Sequence, residues 1–401
     1  MIQTEKKEKI IKYKFIYTVL ILLVYLVGKR IPLYGIDIAS YMDRSFLSEH
    51  ILLQTVSGDI NQCSLFALGI SPYMISTIIV QIMAACRSLE SKQRTSPRKL
   101  NRIALMLTLI VTIFQAFFHV QKLQFTPMDS VLFLTKAIAG LEMVAGVMVI
   151  LWLSARNKKY GIGGQTTLIF VNILEGILTT VKGREVRELI IPVIISVIVM
   201  IIVIIMENAE VRIPVQRISI HNIYADKNYL AIKLNPIGVM PAMFSTAFFM
   251  VPQLIITGLA LLFPENSYVS WWQDNVTLSK PLGIVVYILI LYCLTVGFSR
   301  VFVNPKEITE QFLKSGDSIL NLHAGRDTKR YLSGVITRIS LLSATVMSVC
   351  LGVPIVLQLV TNIDSKLIML PSLVMMLTGI WCNLYREVVA IRNLEAYRPF
   401  I

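Results

Sequence analysis

"LGISPYMISTIIVQIM", residues 68–83, is apolar enough for a lipid bilayer, yet it opens on Gly69, Ser71 and Pro72. A second stretch, "GVMPAMFST" (238–246), repeats "GISPYMIST" (69–77) with the same Gly, Pro, Met, Ser and Thr in the same order. Proline removes one backbone hydrogen bond and crowds the preceding turn, so Pro72 and Pro241 are expected to loosen a helix near its start. The residues that follow, Ser76 and Thr77 in one copy and Ser245 and Thr246 in the other, are small enough for close helix approach. Met74 and Ile78 fall on one helix face. A site for a small polar solute would need polar groups at that depth. Large, flexible, apolar side chains suit a constriction that excludes water, and methionine adapts to irregular contents.

The rest of the chain places this repeat in a membrane. Of 401 residues, 55% are hydrophobic and 15% charged, against roughly 25% charged in soluble domains. Crossing a bilayer takes about 20 apolar residues, and ten stretches qualify: 10–28, 65–85, 103–121, 131–155, 162–181, 189–206, 234–264, 281–299, 339–362 and 367–385. Each copy of the repeat lies in the second stretch of a five-stretch half, and the two run in opposite directions, as an inverted repeat requires. The expectation is an all-α integral membrane protein of ten transmembrane helices, in two pseudosymmetric halves (1–182 and 183–401) around a central pore. Most of the 38 Lys and Arg residues fall at the N-terminal start, in 87–102, 156–159, 207–233 and 300–330, and in the tail. That bias puts both termini in the cytoplasm; "VKGREVRE" (181–188) is the one loop that disagrees. Lys29 and Arg30 follow the first stretch without a small-residue cleavage site, so it is expected to stay as a span.

Little in the sequence speaks for catalysis. The five cysteines (Cys63, Cys86, Cys293, Cys350 and Cys382) form no C-x-x-C pair, and His50, His119, His221 and His323 are scattered. No nucleotide, metal or cofactor motif is present, so neither an enzyme nor a cofactor is expected. Glu142 and Glu175 lie within spans, and intramembrane carboxylates are functional candidates by default. They are the best support for a rival reading, an inverted-repeat secondary transporter.

Several further stretches carry a resemblance. "RIPLYGID" (30–37), "SLFALGISPYMISTIIVQ" (64–81), "YGIGGQTTLIF" (160–170), "LNPIGVMPAMF" (234–244), "FVNPKEITEQFLKSG" (302–316) and "ITRISLL" (336–342) resemble, in order, segments of the SecY/Sec61 protein-conducting channel family. The resemblance covers nearly the whole chain. It implies two halves around an hourglass pore whose waist is an apolar ring, carried over as Met74, Ile78, Ile169, Ile173, Met243 and Leu373. It implies a plug at about 48–59 and a lateral gate between spans two and seven, with Pro72, Ser76, Thr77, Gln81, Pro241, Ser245 and Thr246. The partners it implies are a SecA-type motor ATPase, a small SecE-type subunit, preproteins bearing signal sequences, and membrane lipid. Motor docking would fall on the loops 207–235 and 304–332, at Arg212, Arg217, Lys306, His323, Arg326, Lys329 and Arg330.

The departures from the family pattern lie on those loops. Where the family has I-R-P-G, this chain has "LHAG" (322–325), with His323 in the arginine position and Ala324 in the proline position. The loop before span seven keeps only Arg212, Arg217, Lys227 and Lys233, which argues against ribosome docking. The divergence points to the accessory Sec channel of a Gram-positive bacterium, working with a dedicated motor to export serine-rich glycosylated adhesins. The alternative within the family is the housekeeping channel.

Overall fold

A computed structural model describes residues 2–36, 63–90, 96–123, 125, 132–217, 228–262, 267–277, 280–320, 322–323, 325–360, 367 and 369–397. The expected plug segment lies outside them.

Its helices are α1 (Ile2–Gly28), α2 (Ser71–Glu90), α3 (Pro97–Lys122), α4 (Leu132–Tyr160), α5 (Gln165–Val181) and α6 (Val186–Asn208). After two strands, β1 (Glu210–Arg217) and β2 (Tyr229–Lys233), come α7 (Met240–Leu262), α8 (Ser267–Asn275), α9 (Pro281–Phe302) and α10 (Pro305–Ser315). The chain ends with β3 (Asp317–Ile319), α11 (Arg326–Val360) and α12 (Leu370–Tyr397). Seven of the helices, α1, α3, α4, α6, α9, α11 and α12, are long and apolar enough to cross a membrane. The other three expected stretches are also helical, as α2, α5 and α7. At 17 residues, α5 spans about 26 Å at 1.5 Å per residue, slightly less than a ~30 Å hydrocarbon core.

Neighbour relations recur between the halves. In the first, α3 packs against α2 and α4; in the second, α9 packs against α7 and α11. The two sets meet where α2 touches α7 and where α5 touches α12. The repeated motif also recurs in backbone detail. Gly69 (φ +52°) and Gly238 (φ +71°) both adopt the left-handed conformation that favours glycine. Pro72 and Pro241 then stand second in α2 and α7.

That position corrects the expectation of loosened helices. The first N–H groups of a helix have no intrahelical partner anyway, so a proline there removes no bond, and its fixed φ begins the helix. Met74 N–H donates to Ile70 O at 3.1 Å and Met243 N–H to Val239 O at 3.2 Å, so both helices are bonded from their first turn. The glycine turns and the prolines start these helices rather than bend them.

The described parts of the loops 207–235 and 304–332 contain a sheet. In β1, Ile213 and Val215 are buried while Arg212, Pro214 and Gln216 are exposed, the period-2 alternation of a half-covered strand. β1 pairs antiparallel with β2 on one side and with β3 on the other, giving the order β2-β1-β3. Ile213, Ile232 and Ile319 pack on Leu332, Ile336 and Ile339 of α11. The helix α11 starts at Arg326, well before the apolar stretch at Ile339. Hydropathy marks where a helix meets lipid; its hydrogen bonds continue into water without a sequence boundary. The end of the bundle carrying this sheet is called the sheet end below.

Close packing depends on glycine at one place in particular. A Cβ built at Gly146 of α4 would lie 2.0 Å from the carbonyl oxygen of Leu65, so backbone would have to move. Replacing Gly146 by Ala is expected to destabilise the protein by about 1–3 kcal/mol, the range for overpacking. Thermal unfolding in detergent checks this, with Gly297→Ala, which meets nothing within 4 Å, as the silent control.

Candidate pore, seam and docking surface

The six ring positions come from four helices: Met74 and Ile78 from α2, Ile169 and Ile173 from α5, Met243 from α7 and Leu373 from α12. All are buried, none more than 7% exposed. Met74, Ile169, Ile173, Met243 and Leu373 belong to one continuous apolar cluster. Ile78 does not. One turn further along α2, it packs with Ile237 and Phe298, flanked by Phe244, Phe248 and Leu294. Four helices from two halves thus contribute to one apolar cluster, in touch as the pairs α2–α7 and α5–α12, with Ile78 set toward the base of α7.

The α2–α7 seam is lined by side chains that turn their polar atoms back on their own helices. Ser76 Oγ donates to Pro72 O at 2.8 Å, Thr77 Oγ1 to Met74 O at 2.9 Å and Ser245 Oγ to Ala242 O at 2.8 Å. The one O–H donor of each of these hydroxyls is used within its own helix, and none of the three donates across the seam. Gln81 is half-buried, and its Oε1 has no hydrogen-bond partner among the described residues. The side chain of Thr246 lies outside those residues.

The two intramembrane glutamates have structural partners. Glu175 pairs with Lys29 Nζ, which also donates to Asn172 Oδ1 at 3.3 Å; Tyr25 Oη donates to the same oxygen at 2.9 Å. This cluster clamps the end of α1 to α5 beside Ile169 and Ile173. Glu142 Oε2 accepts from the backbone N–H of Tyr34 at 2.9 Å. Each carboxylate holds a chain segment in place, which takes away the best support for a solute transporter.

The docking candidates gather at the sheet end. Arg212 on β1 pairs with Glu210 at 3.0 Å and lies over the Tyr229 ring at 4.8 Å. Lys306 stands in the first turn of α10, where its N–H is capped by Asn304 Oδ1 at 3.2 Å. His323 is exposed, and its carbonyl accepts from Thr328 Oγ1 at 2.9 Å. Arg326, Lys329 and Arg330 are exposed at the start of α11. The side chain of Arg217, and Ala324, lie outside the described residues. A patch of free cations remains on α11, while Arg212 is held by its neighbours.

Sequence reading missed a buried polar network at the same end. Glu207, the penultimate residue of α6, has a side chain 1% exposed. Its Oε2 pairs with Arg386 Nη1 of α12 at 3.1 Å, and its Oε1 accepts from Asn235 Nδ2 at 3.3 Å. Asn235 Oδ1 in turn accepts from Ser343 Oγ of α11 at 3.1 Å. A second Arg386 nitrogen donates to the Glu207 carbonyl. The next residue, Glu387, accepts from the Gly163 N–H at 3.1 Å, between α4 and α5. Consecutive residues of α12 thus hold the ends of α6 and of the α4–α5 turn. In sequence, Glu207 is only a charge after an apolar run, and a partner 179 residues away leaves no local signal.

Removing one partner from a buried ion pair leaves an uncompensated charge, at a cost of about 3–5 kcal/mol. Arg386→Met is therefore expected to destabilise strongly, and the double variant Glu207→Gln/Arg386→Met less than Arg386→Met alone. Thermal denaturation of the purified variants in detergent checks the order.

Comparison with known proteins agrees with this architecture. The SecY family profile matches residues 64–381. The accessory Sec system protein translocase subunit SecY2 of Leuconostoc gelidum subsp. gasicomitatum is 29% identical, over 96% of this chain and 95% of the relative. The protein of the same name from Streptococcus sanguinis is 27% identical, over 98% and 99%. Among solved structures, one described as that of a protein conducting channel superposes with a TM-score of 0.69 at 17% identity, over 96% of this chain and 93% of the other. Sec61 in the canine ribosome–channel complex superposes with a TM-score of 0.64 at 16% identity, over 96% and 93%. The chain is a multi-pass membrane protein and belongs to the SecY family.

Proposed function

We propose that this chain is the channel subunit of an accessory Sec translocase, which passes unfolded preproteins across a bacterial cytoplasmic membrane and releases signal sequences sideways into lipid. The observation that carries the reading is the match, over nearly the full length of both chains, to relatives named accessory SecY2. An exposed His323, where the wider family's pattern has arginine, supports it.

In this reading all ten long helices cross the membrane, the halves are 1–182 and 183–401, and the sheet end faces the cytoplasm with both termini. The apolar centre fed by α2, α5, α7 and α12 is the waist. It seals by excluding water, because an ion in a dewetted apolar constriction loses its hydration without compensation. The α2–α7 seam is the lateral gate. A signal helix leaving through it gains about 0.8 kcal/mol for each CH₂ buried in lipid, and hydroxyls satisfied within their own helices keep the cost of opening low. The chain supplies no chemical step, so the driving energy comes from a SecA-type motor docked on α10, β1 and the start of α11. A SecE-type subunit holds the halves, and the cargo is a serine-rich glycosylated adhesin.

Reconstituted proteoliposomes test this directly. With the accessory motor and an adhesin preprotein, transport is expected; with the housekeeping SecA, the yield should fall several-fold. Equal transport with both motors would refute the accessory assignment.

The ring has its own test. Ile169→Ser/Ile173→Ser is expected to raise resting ion conductance about tenfold in planar bilayers, since hydroxyls wet an apolar constriction. Unchanged conductance would remove these residues from the seal.

A further inference from the structure

The short helix α8 joins the end of α7 to the start of α9 at the end of the molecule opposite the sheet. Its nine residues, "SYVSWWQDN", include none that is buried. Trp271 is 52% exposed and Trp272 48%. Their rings meet edge to face at 5.7 Å. An isolated helix this short is marginal in water, because its nucleation is not offset by enough hydrogen bonds. Ordinarily such a helix is held by an apolar face packed on protein; here α8 touches α7 and α9, but only Val269 and Asn275 are half-buried and the aromatic side chains stay exposed.

The residues are nevertheless sorted by face. At 100° per residue, Tyr268, Trp271 and Trp272 fall within one arc of the helix, together with the last residue, Asn275, whose Nδ2 donates back to Trp271 O at 2.8 Å, and Ser270, Gln273 and Asp274 fall within the opposite one. The helices that α8 touches also carry exposed apolar side chains: Ile255 of α7 is 58% exposed and Val285 of α9 is 63% exposed. In a multi-pass membrane protein those faces meet acyl chains. The helix has one acidic residue and no basic one, so it does not attract anionic headgroups. Tryptophan and tyrosine, apolar bodies with a polar tip, partition to the membrane–water boundary.

We propose that α8 is an interfacial anchor: it lies in the headgroup region of the bilayer, on the outer side in the orientation proposed above, with Trp271 and Trp272 among the uppermost carbons of the lipid chains. The occupant of its aromatic face is phospholipid. Because α8 packs against α7, whose packing against α2 forms the seam, the anchor ties the outer end of the proposed gate helix to the membrane plane. The proposal rests on the bilayer-spanning reading, with the side of the membrane taken from the proposed orientation.

The chain has four tryptophans, so Trp152→Phe/Trp381→Phe leaves the α8 pair as the only indoles. The full-length variant is reconstituted in phosphatidylcholine vesicles brominated at shallow (6,7) or deep (11,12) acyl positions. Emission is expected to be quenched about twofold more by the shallow bromines, and little by aqueous iodide. Strong iodide quenching without bromine quenching would put α8 in water and overturn the proposal. Emission insensitive to both would mean that protein covers the face, and would overturn it equally. Should that variant fail to fold, the difference in quenching between wild type and Trp271→Phe/Trp272→Phe gives the same readout. Motor-driven transport, measured on the same vesicles, separates the claims: a working channel with unquenched tryptophans sinks only the anchor, whereas failure of transport tests the channel assignment.

Discussion

An apolar centre built from four helices of two different halves is the constraint on which the rest depends. Met74, Ile169, Ile173, Met243 and Leu373 share one buried cluster although they come from α2, α5, α7 and α12. Contacts of this kind are non-directional and scale with area, so they can be given up and remade against another apolar surface without stranding a polar group. A specific lock of hydrogen bonds across the same seam would hold the halves together at the expense of that freedom. The hydroxyls of Ser76, Thr77 and Ser245 donate within their own helices and so supply no such lock.

The directional interactions are placed elsewhere. Lys29, Glu175, Asn172 and Tyr25 fasten α1 to α5, while Arg386, Glu207, Asn235 and Ser343 tie α12, α6, the lead-in to α7 and α11 together. Polar groups in a low-dielectric interior are costly unless paired, so these clusters fix geometry where they occur, Asn172 Nδ2 being the one buried atom among them without a partner among the described residues. The molecule separates its two kinds of cohesion: ionic and hydrogen-bonded joints at the ends of helices, apolar contact where the two halves meet at its centre. Glu142 and Glu175 belong to the first kind, which explains carboxylates in apolar stretches without a solute to bind.

Much of this was legible in the residues. The Gly-x-x-Pro repeat located the two seam helices, and the apolar stretches located the long helices, because both signals are local. The role of Pro72 and Pro241 was not legible, since proline acts oppositely at a helix start and in a helix interior, and only the backbone shows which applies. The sheet escaped notice because β1, β2 and β3 come from two loops separated by α7, α8 and α9. Glu207 and Arg386 were invisible as a pair for the same reason. Ile78 shows the limit of a spacing argument: sharing a helix face with Met74 placed it on the right side of α2, yet one turn was enough to give it different neighbours.

The three-stranded sheet has a mechanical consequence. It welds two loops that would otherwise flex independently and seats both on the base of α11. That helix has 35 residues, about 52 Å at 1.5 Å per residue, and runs from Arg326 in the loops to the flank of α9 and α12. A displacement of the sheet is therefore passed to α11, and through its packing to α12, the helix that bears Leu373.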